Sequence, residues 1–192
     1  MKVDLHVHAS ERSGCAIHGE EAMIQAALSC GLNGMAFTDH HRLVEPARLA
    51  ELNEKYAPFH IYPGIEITAD DEDWLVLGAY DLALEREDWH YPQLASFTRS
   101  IGGIIILAHP YRYAPRIHVD LKTCPPDGIE GRSNNTPPMR EAEIRRMAAT
   151  LGMAVLSNSD AHSVRAVGSY YNVVPGPLNG TRALLEQLKQ VK

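Results

Sequence analysis

The feature that most constrains the fold is a repeated alternation of short apolar segments, polar loops and helical segments. Eight segments are typical of strands: 3–7, 34–38, 59–68, 74–80, 104–108, 128–130, 154–157 and 169–174. Five have helical patterning: 20–29, 45–56, 91–101, 138–151 and 181–190. Strands that alternate with helices predict parallel βαβ units. Seven or eight such units in 192 residues favour a compact barrel, with a doubly wound open sheet as the alternative.

Length and composition favour one globular domain over residues 1–192 and exclude several classes of protein. The formal charge of −6 argues against a surface built to bind the nucleic-acid backbone. The longest apolar run, 101–108, is too short to cross a bilayer. The three cysteines form no Cys-x-x-Cys pair, so neither a disulfide framework nor a zinc ribbon is indicated. The N-terminus has no signal-peptide pattern, and we expect a cytoplasmic protein.

Histidine and acidic residues follow or end five of the predicted strands. The segments are Asp4-Leu5-His6-Val7-His8, Thr38-Asp39-His40-His41, Gly64-Ile65-Glu66, Ala108-His109-Pro110 and Ser159-Asp160-Ala161-His162. Each alone is more typical of a surface histidine, a helix cap or a paired carboxylate. Together they predict a metal site, because the carboxyl ends of barrel strands converge on one face. A mixed imidazole and carboxylate set without cysteine suits zinc, manganese or iron.

The first motif also has the spacing that coordination needs. In His6-x-His8 both side chains leave a strand on the same face, because the strand period is two residues. Two imidazoles on one face can bind one ion. Asp160-x-His162 repeats this spacing with a carboxylate and an imidazole.

As an ordered set, these motifs resemble the polymerase and histidinol phosphatase (PHP) superfamily. The resemblance extends from residue 4 to about residue 170, with the motifs in the family's order. It implies an α/β fold, a distorted (β/α)7 TIM-like barrel, in a single domain. It also implies phosphoester hydrolysis with two or three divalent metal ions.

The resemblance further implies a ligand set in three groups. The first ion is assigned to His6, His8, Glu66 and Asp160; Glu66 bridges to a second ion that His109 also binds; His40 and His162 bind a third. Two positions depart from the family pattern. The segment 74–78 lacks an expected histidine, and no clear ligand follows the first motif, where Glu11, Cys15 or His18 could substitute. We therefore expect two ions, with three as the alternative.

Catalytic roles follow from this ligand set. Metal-activated hydroxide attacks the phosphoryl group in such sites. Glu66 is expected to bridge the ions, His109 to fix their geometry, and Asp39 to orient a histidine. Arg112 and Arg12 are the candidate phosphate ligands, because the arginine fork suits phosphate oxygens. The segment 111–135 is long enough to form a lid.

The function predicted from the sequence is that of a metal-dependent phosphoesterase acting on a small phosphorylated metabolite or nucleotide. The alternatives are an amidohydrolase-type metal hydrolase and a non-catalytic, nucleic-acid-associated PHP module. The acidic charge and the nearly full ligand set argue against the latter. The expected partner is a small phosphorylated substrate, without nucleic acid or membrane, and the sequence leaves the oligomeric state open.

Overall fold

The computed structural model describes residues 1–176, 181–188 and 190. The strands are β1 Lys2–Val7, β2 Gly34–Phe37, β3 His60–Ala69, β4 Glu72–Leu77, β5 Ile104–Leu107, β6 Gly128–Arg132, β7 Ala154–Ser157 and β8 Asn172–Val173. The helices are α1 Glu20–Ser29, α2 Pro46–Lys55, α3 Tyr91–Ser100, α4 Glu141–Leu151 and α5 Thr181–Leu188. Two short 3-10 helices span Leu82–Glu85 and Pro138–Arg140. In this part of the chain, no helix has the length and apolar character that a bilayer crossing requires.

The strands form one sheet that curls into a nearly closed barrel. Their order is β7-β6-β5-β4-β3-β2-β1-β8. The two sides of the sheet meet where Val7, at the end of β1, forms a parallel bridge with Ala161, which follows β7. The predicted distorted α/β barrel is therefore confirmed, and the open doubly wound sheet is not found.

The expectation of parallel βαβ units is wrong for β4. This strand pairs antiparallel with both β3 and β5, and it places Leu75 opposite Glu66. Only Asp70 and Asp71 connect β3 to β4. A parallel connection needs a crossover of about a dozen residues or more, so this turn can make only a hairpin. The short β8 also pairs antiparallel, with β1.

Several predicted boundaries shift by a few residues. The strand predicted at 74–80 is β4 at Glu72–Leu77, and the one predicted at 169–174 shortens to β8. The helix predicted at 138–151 begins as a 3-10 turn before α4 starts at Glu141. The last predicted helix extends to 190, but residue 189 lies outside the described residues, and α5 ends at Leu188.

Local interactions explain where two of the helices begin and end. The backbone N–H of Glu20 at the start of α1 donates to both carboxylate oxygens of Glu11, at 3.1 and 3.0 Å. A carboxylate at this position satisfies a free N–H and stabilises the positive end of the helix dipole. α4 ends at Gly152, whose φ of 71° is left-handed and suits glycine.

The barrel interior is apolar between the amino ends of the strands and the polar side chains at their carboxyl ends. It is filled by Val3, Leu5, Leu75, Leu77, Ile104, Ile106 and Leu156, together with Leu184, Leu185 and Leu188 of α5. Leu188 lies beside Ile104, Gly128 and Ala154, which begin β5, β6 and β7. α5 therefore covers the amino ends of these strands. The opposite, carboxyl ends are left for polar side chains.

We predict that Ile106→Ala lowers the free energy of unfolding by about 2–5 kcal/mol, because it leaves a cavity in the filled barrel interior. Ile106 is 0% exposed. The control is Leu82→Ala, which removes an apolar side chain that is 61% exposed and is expected to change stability by about 0.5 kcal/mol or less. Urea unfolding of both variants makes the measurement, and equal effects would contradict the assigned core.

Candidate metal centre

The seven residues predicted as metal ligands lie together at one end of the barrel. His6 lies near the end of β1 and His8 just beyond it, His40 follows β2, Glu66 lies in β3, His109 follows β5, and Asp160 and His162 follow β7. His40 and His162 are partly exposed, and the other five are buried. The arrangement depends on the parallel strands, which deliver their carboxyl ends to the same side of the barrel.

Four of these residues direct atoms at one common point. The Nε2 atom of His6 lies 3.3 Å from both Glu66 Oε1 and Asp160 Oδ1. The Nε2 atom of His8 lies 3.3 Å from Glu66 Oε2 and 3.2 Å from Asp160 Oδ1. The two imidazoles thus share one face of the strand, as its period predicts.

The donor atoms at this point fit a divalent cation. His6 Nε2, His8 Nε2, Glu66 Oε2 and Asp160 Oδ1 are each buried without a hydrogen-bond partner. Buried polar atoms are normally paired, so four such atoms facing one another need an explanation. Two imidazole nitrogens and two carboxylate oxygens are suitable ligands for zinc. The three separations His6 Nε2–Asp160 Oδ1, His8 Nε2–Asp160 Oδ1 and His8 Nε2–Glu66 Oε2, at 3.2–3.3 Å, are close to the ~3.3–3.4 Å edge of a tetrahedron with ligand distances of ~2.0–2.1 Å.

A second group of donors lies beside the first and contains a residue that the sequence analysis missed. Ligand atoms of Glu66, Asp73 and His109 all lie within 4.8 Å of one another. His109 Nε2 is 3.0 Å from Glu66 Oε1 and 3.8 Å from Asp73 Oδ2. Asp73 occupies the strand where a family histidine was expected.

Asp73 was missed because only the carboxyl ends of strands were considered as sources of ligands. β4 runs antiparallel, so its amino end, not its carboxyl end, reaches the metal-ligand side of the barrel. Asp73 pairs with Thr68, two residues beyond Glu66 on the same face of β3. The Thr68 hydroxyl donates to Asp73 Oδ1 at 2.6 Å and fixes the carboxylate. The Asp70-Asp71 turn could have signalled this reversal.

A third group of donors consists of imidazoles alone. Ligand atoms of His8, His40 and His162 lie within 4.8 Å of one another. The ring of His8 stacks between the other two, with centroid distances of 4.6 Å to His40 and 4.2 Å to His162. Glu66 Oε2 lies 3.0 Å from His40 Nδ1 and connects this group to the first.

Burial and opposite charges shift the pKa values of the central groups in opposite directions. Burial lowers the pKa of His6. The neighbouring carboxylates of Asp160, Glu66 and Glu130 outweigh this effect and raise the pKa well above its ordinary value. Burial raises the pKa of Glu66, but the surrounding imidazoles outweigh it and bring the pKa well below its usual range. The pKa of Asp160 is likewise lowered, since the imidazoles outweigh its burial. The carboxylates are therefore held in their charged, ligating form.

Glu130 is a second functional candidate that the sequence analysis missed. It is fully buried, and its Oε1 accepts the Nδ1–H of His6 at 2.9 Å and the side-chain amide of Asn158 at 2.7 Å. Its Oε2 accepts the backbone N–H of His109 at 2.8 Å. A carboxylate on Nδ1 leaves the lone pair of Nε2 pointing at the ligand cluster, which is the usual support for a metal-binding histidine. The only sequence signal was an acidic residue in a short strand.

Asp39 lies one step away from the donor cluster and supports it through Ser13. Its Oδ1 accepts the Ser13 hydroxyl and the Ala9 N–H, both at 2.7 Å. Because the Ser13 proton goes to Asp39, the serine oxygen is left to accept the Nδ1–H of His8 at 3.3 Å. Asp39 thus contacts the imidazole of His8 indirectly, through Ser13.

The two predicted phosphate ligands have different surroundings. Arg12 is engaged by Glu20 and by Asp39, whose Oδ2 accepts its Nε–H at 2.7 Å. Its charge is therefore balanced inside the fold. Arg112 lies over the cluster. Its guanidinium nitrogen Nη1 is 3.2 Å from His109 Nε2 and 3.5 Å from Asp160 Oδ2, and the side chain is 29% exposed. Only Arg112 combines exposure with contact to the predicted ligands.

None of the three substitutes considered after the first motif joins the donor groups found among the described residues. The Glu11 carboxylate caps α1 instead. Cys15 is exposed. Asp73 is instead the additional carboxylate that joins a donor group.

Comparison with known proteins identifies the fold. A model of the PHP-associated family (PHP_C) matches residues 139–192. The crystal structure of a candidate metal-dependent phosphoesterase from Bifidobacterium adolescentis is similar over 97% of this chain and 95% of that chain, with a TM-score of 0.75 and 16% identity. The chain therefore shares the fold of that structure, and its C-terminal part matches the PHP-associated family. The predicted resemblance is thereby confirmed.

Two further solved structures share the fold of this chain. One is a two-domain protein from Bacteroides vulgatus containing a predicted PHP-like metal-dependent phosphoesterase, with 86% of this chain and 53% of that chain covered, a TM-score of 0.68 and 16% identity. The other is an amidohydrolase from Chromobacterium violaceum with bound sulfate and no metal, with 91% and 93% covered, a TM-score of 0.69 and 15% identity. A search of curated proteins gave no significant match.

A cavity of about 390 Å³ opens beside the donor cluster. It is lined by His40, Thr68, Asp71, Asp73, Tyr113 and His118. Tyr113 lies edge-on to His109, with ring centroids 6.0 Å apart, and is 65% exposed. Burial and then the Asp73 carboxylate raise the pKa of Tyr113 to about 12.

The cavity wall comes partly from the segment predicted as a lid. β6 lies inside the predicted range 111–135, so the segment between β5 and β6 is 108–127. Tyr113 and His118 reach the cavity from this segment, and the His118 N–H donates to Glu72 Oε1 at 2.8 Å. This bond joins the segment to the start of β4.

We predict that Glu130→Gln weakens divalent-metal binding by about 10- to 100-fold, because a neutral amide supports His6 less well than a carboxylate does. The matched control is Glu51→Gln, a change to a side chain that is 63% exposed. Isothermal titration with Mn²⁺ compares the two variants, and thermal unfolding checks that both remain folded. Unchanged affinity in Glu130→Gln would show that this carboxylate does not support the metal site.

Proposed function

We propose that this protein is a metal-dependent phosphoesterase that hydrolyses a small phosphorylated metabolite or nucleotide. The observation that carries the proposal is the convergence of four buried, unpartnered donor atoms from His6, His8, Glu66 and Asp160. Such a set is costly to bury without a cation. The proposed cofactors are two divalent ions, manganese, zinc or iron, and those four residues would hold the first ion.

The second ion would be held by Glu66, Asp73 and His109, with Glu66 shared between the two. Divalent ions supply an activated water at neutral pH and polarise the phosphoryl oxygens. Metal content per chain, measured by mass spectrometry, tests the number of ions. A value of three would assign the His8, His40 and His162 group to a further ion.

The other residues would position the substrate. Arg112 is the proposed phosphate ligand, since its fork can donate two hydrogen bonds to phosphate oxygens. Asp39 would act through Ser13 by orienting His8. The cavity of about 390 Å³ has the size of a small-molecule site. It would hold the leaving group against Tyr113, within the segment that we propose as the lid.

The similar proteins support two kinds of hydrolase. The Bifidobacterium adolescentis protein is a candidate metal-dependent phosphoesterase. The Chromobacterium violaceum protein is an amidohydrolase, which keeps attack on a carbon centre as the alternative function. The bound sulfate of that protein is a tetrahedral anion, like phosphate. Arg112 above the cluster of this chain favours a tetrahedral anionic group over a neutral amide.

We predict that the manganese-loaded protein hydrolyses p-nitrophenyl phosphate and that His6→Ala loses both bound metal and turnover, because Nε2 of His6 is a central donor. The control is His90→Ala, since His90 has a side chain that is 69% exposed and pairs with Asp70 away from the cluster. Metal content and initial rates give the readout. Full activity and metal content in His6→Ala would contradict the assigned site.

The same assay separates the alternatives. Amide hydrolysis without phosphate-ester hydrolysis would replace the proposal with an amidohydrolase. A metal-free protein that binds RNA with a steep salt dependence would replace it with a non-catalytic module.

We predict that Arg112→Met lowers kcat/KM for phosphate esters by about 10- to 100-fold, because a charge-assisted hydrogen bond contributes about 1.5–3 kcal/mol. Arg116→Met is the matched control: Arg116 is exposed in the same segment and makes no hydrogen bond or ion pair with any described residue. Steady-state kinetics on both variants provides the measurement. Equal losses in the two variants would remove Arg112 as the phosphate ligand.

A further inference from the structure

Arg112 contacts His109 Nε2, one of the atoms that the second ion would need. Its guanidinium nitrogen Nη1 lies 3.2 Å from His109 Nε2 and 3.5 Å from Asp160 Oδ2. We propose that Arg112 is an internal cation that competes with the second ion for His109 and is released by that ion to bind phosphate. This inference rests on the proposed function and adds a coupling between metal loading and substrate binding.

His109 Nε2 cannot form hydrogen bonds with both of its close neighbours, Glu66 and Arg112, at the same time. Glu66 Oε1 lies 3.0 Å away and requires a proton on this nitrogen for a hydrogen bond. The Arg112 N–H at 3.2 Å requires a lone pair on the same nitrogen. One ring nitrogen offers either a donor or an acceptor, never both. One of these two contacts is therefore unfavourable in every protonation state of the ring.

A cation between His109 and Glu66 removes this conflict but excludes Arg112. It would accept the single Nε2 lone pair and would neutralise the Glu66 oxygen that now faces that nitrogen. Arg112 would then have no acceptor on His109, and the positive ion would repel its guanidinium. The side chain is free to move, because it is 29% exposed and its only other close partners among the described residues are Asp160 Oδ2 and the ring of Tyr113, 5.0 Å away.

The released guanidinium lies at the mouth of the cluster, where a phosphate group would approach the metal ligands. Metal binding thus converts Arg112 from a ligand-blocking cation into a phosphate donor. Linkage requires the reverse effect as well: an anion that draws Arg112 away must strengthen binding of the second ion. The geometry therefore makes Arg112 the element through which the two binding events communicate.

The test is Mn²⁺ binding to Arg112→Met by isothermal titration, without any substrate. Methionine keeps much of the side-chain length but cannot donate to His109. We expect one Mn²⁺ step to tighten by about 5- to 100-fold relative to wild type, the usual range of a coupling between sites. Unchanged or weaker Mn²⁺ binding would overturn the proposal.

The control must separate the effect of the direct Arg112–His109 contact on Mn²⁺ binding from the effect of removing a positive charge at a distance. Arg116→Met removes the same charge from the same segment without touching the ligands, and it should leave Mn²⁺ binding unchanged. The titrations are repeated at about 0.5 M salt, where long-range charge effects are largely screened. Equal tightening in both variants, or tightening of Arg112→Met that disappears at high salt, would also overturn the proposal.

A second arm uses sulfate as the tetrahedral anion, compared with chloride at equal ionic strength. Sulfate is expected to tighten Mn²⁺ binding in the wild type more than in Arg112→Met, and an equal effect in both would contradict the coupling. None of these measurements requires turnover. If they succeed while the manganese-loaded wild type hydrolyses no phosphate ester, the competition stands and the proposed function fails. If they fail while the wild type hydrolyses phosphate esters, the proposed function stands and the competition is rejected.

Discussion

The carboxylate of Glu66 is the constraint on which the rest of the metal centre depends. It is fully buried in β3 and meets four imidazoles, with distances of 3.0 Å to His109 and His40 and 3.3 Å to His6 and His8. A carboxylate buried this deeply is stable only with positive partners on both oxygens. Those partners come from the ends of three other strands, so the charge can be balanced only when the sheet brings these strands together.

The architecture solves this problem by separating an apolar interior from a polar end. Leu75 lies opposite Glu66 in the hairpin and belongs to the apolar filling that α5 completes from below. The apolar layer keeps water away from one side of the carboxylate and strengthens its interactions with the imidazoles. The same hairpin reverses β4 and brings Asp73 to the cluster, so one tight turn contributes both the packing and a further oxygen donor.

How much the sequence could predict depended on whether the relevant signal was local. Strand alternation predicted the barrel, and the spacing of His6 and His8 predicted a shared face, because both follow from the period of a strand. The reversal of β4 and the donor position of Asp73 could not be predicted by looking at carboxyl strand ends alone. Glu130 was missed for another reason: its role is defined by contacts with His6 and His109, 124 and 21 residues away, and no local pattern encodes such pairs.

Those long-range contacts also hold the ligands in backbone conformations that the chain would not adopt by itself. His109 and Asp160 have positive φ angles of 21° and 52°, which cost about 1–3 kcal/mol each for residues with side chains. The Glu130 carboxylate holds His109 by accepting its backbone N–H. The side-chain amide of Asn135 holds Asp160 by donating to its Oδ2 at 2.5 Å. Because Glu130 and Asn135 lie outside the donor cluster and hold these two ligands, the donors are placed before any cation arrives. A cation then gains their full attraction without first ordering the loops, and this preorganisation explains why so small a barrel can assemble its donors from separate strands.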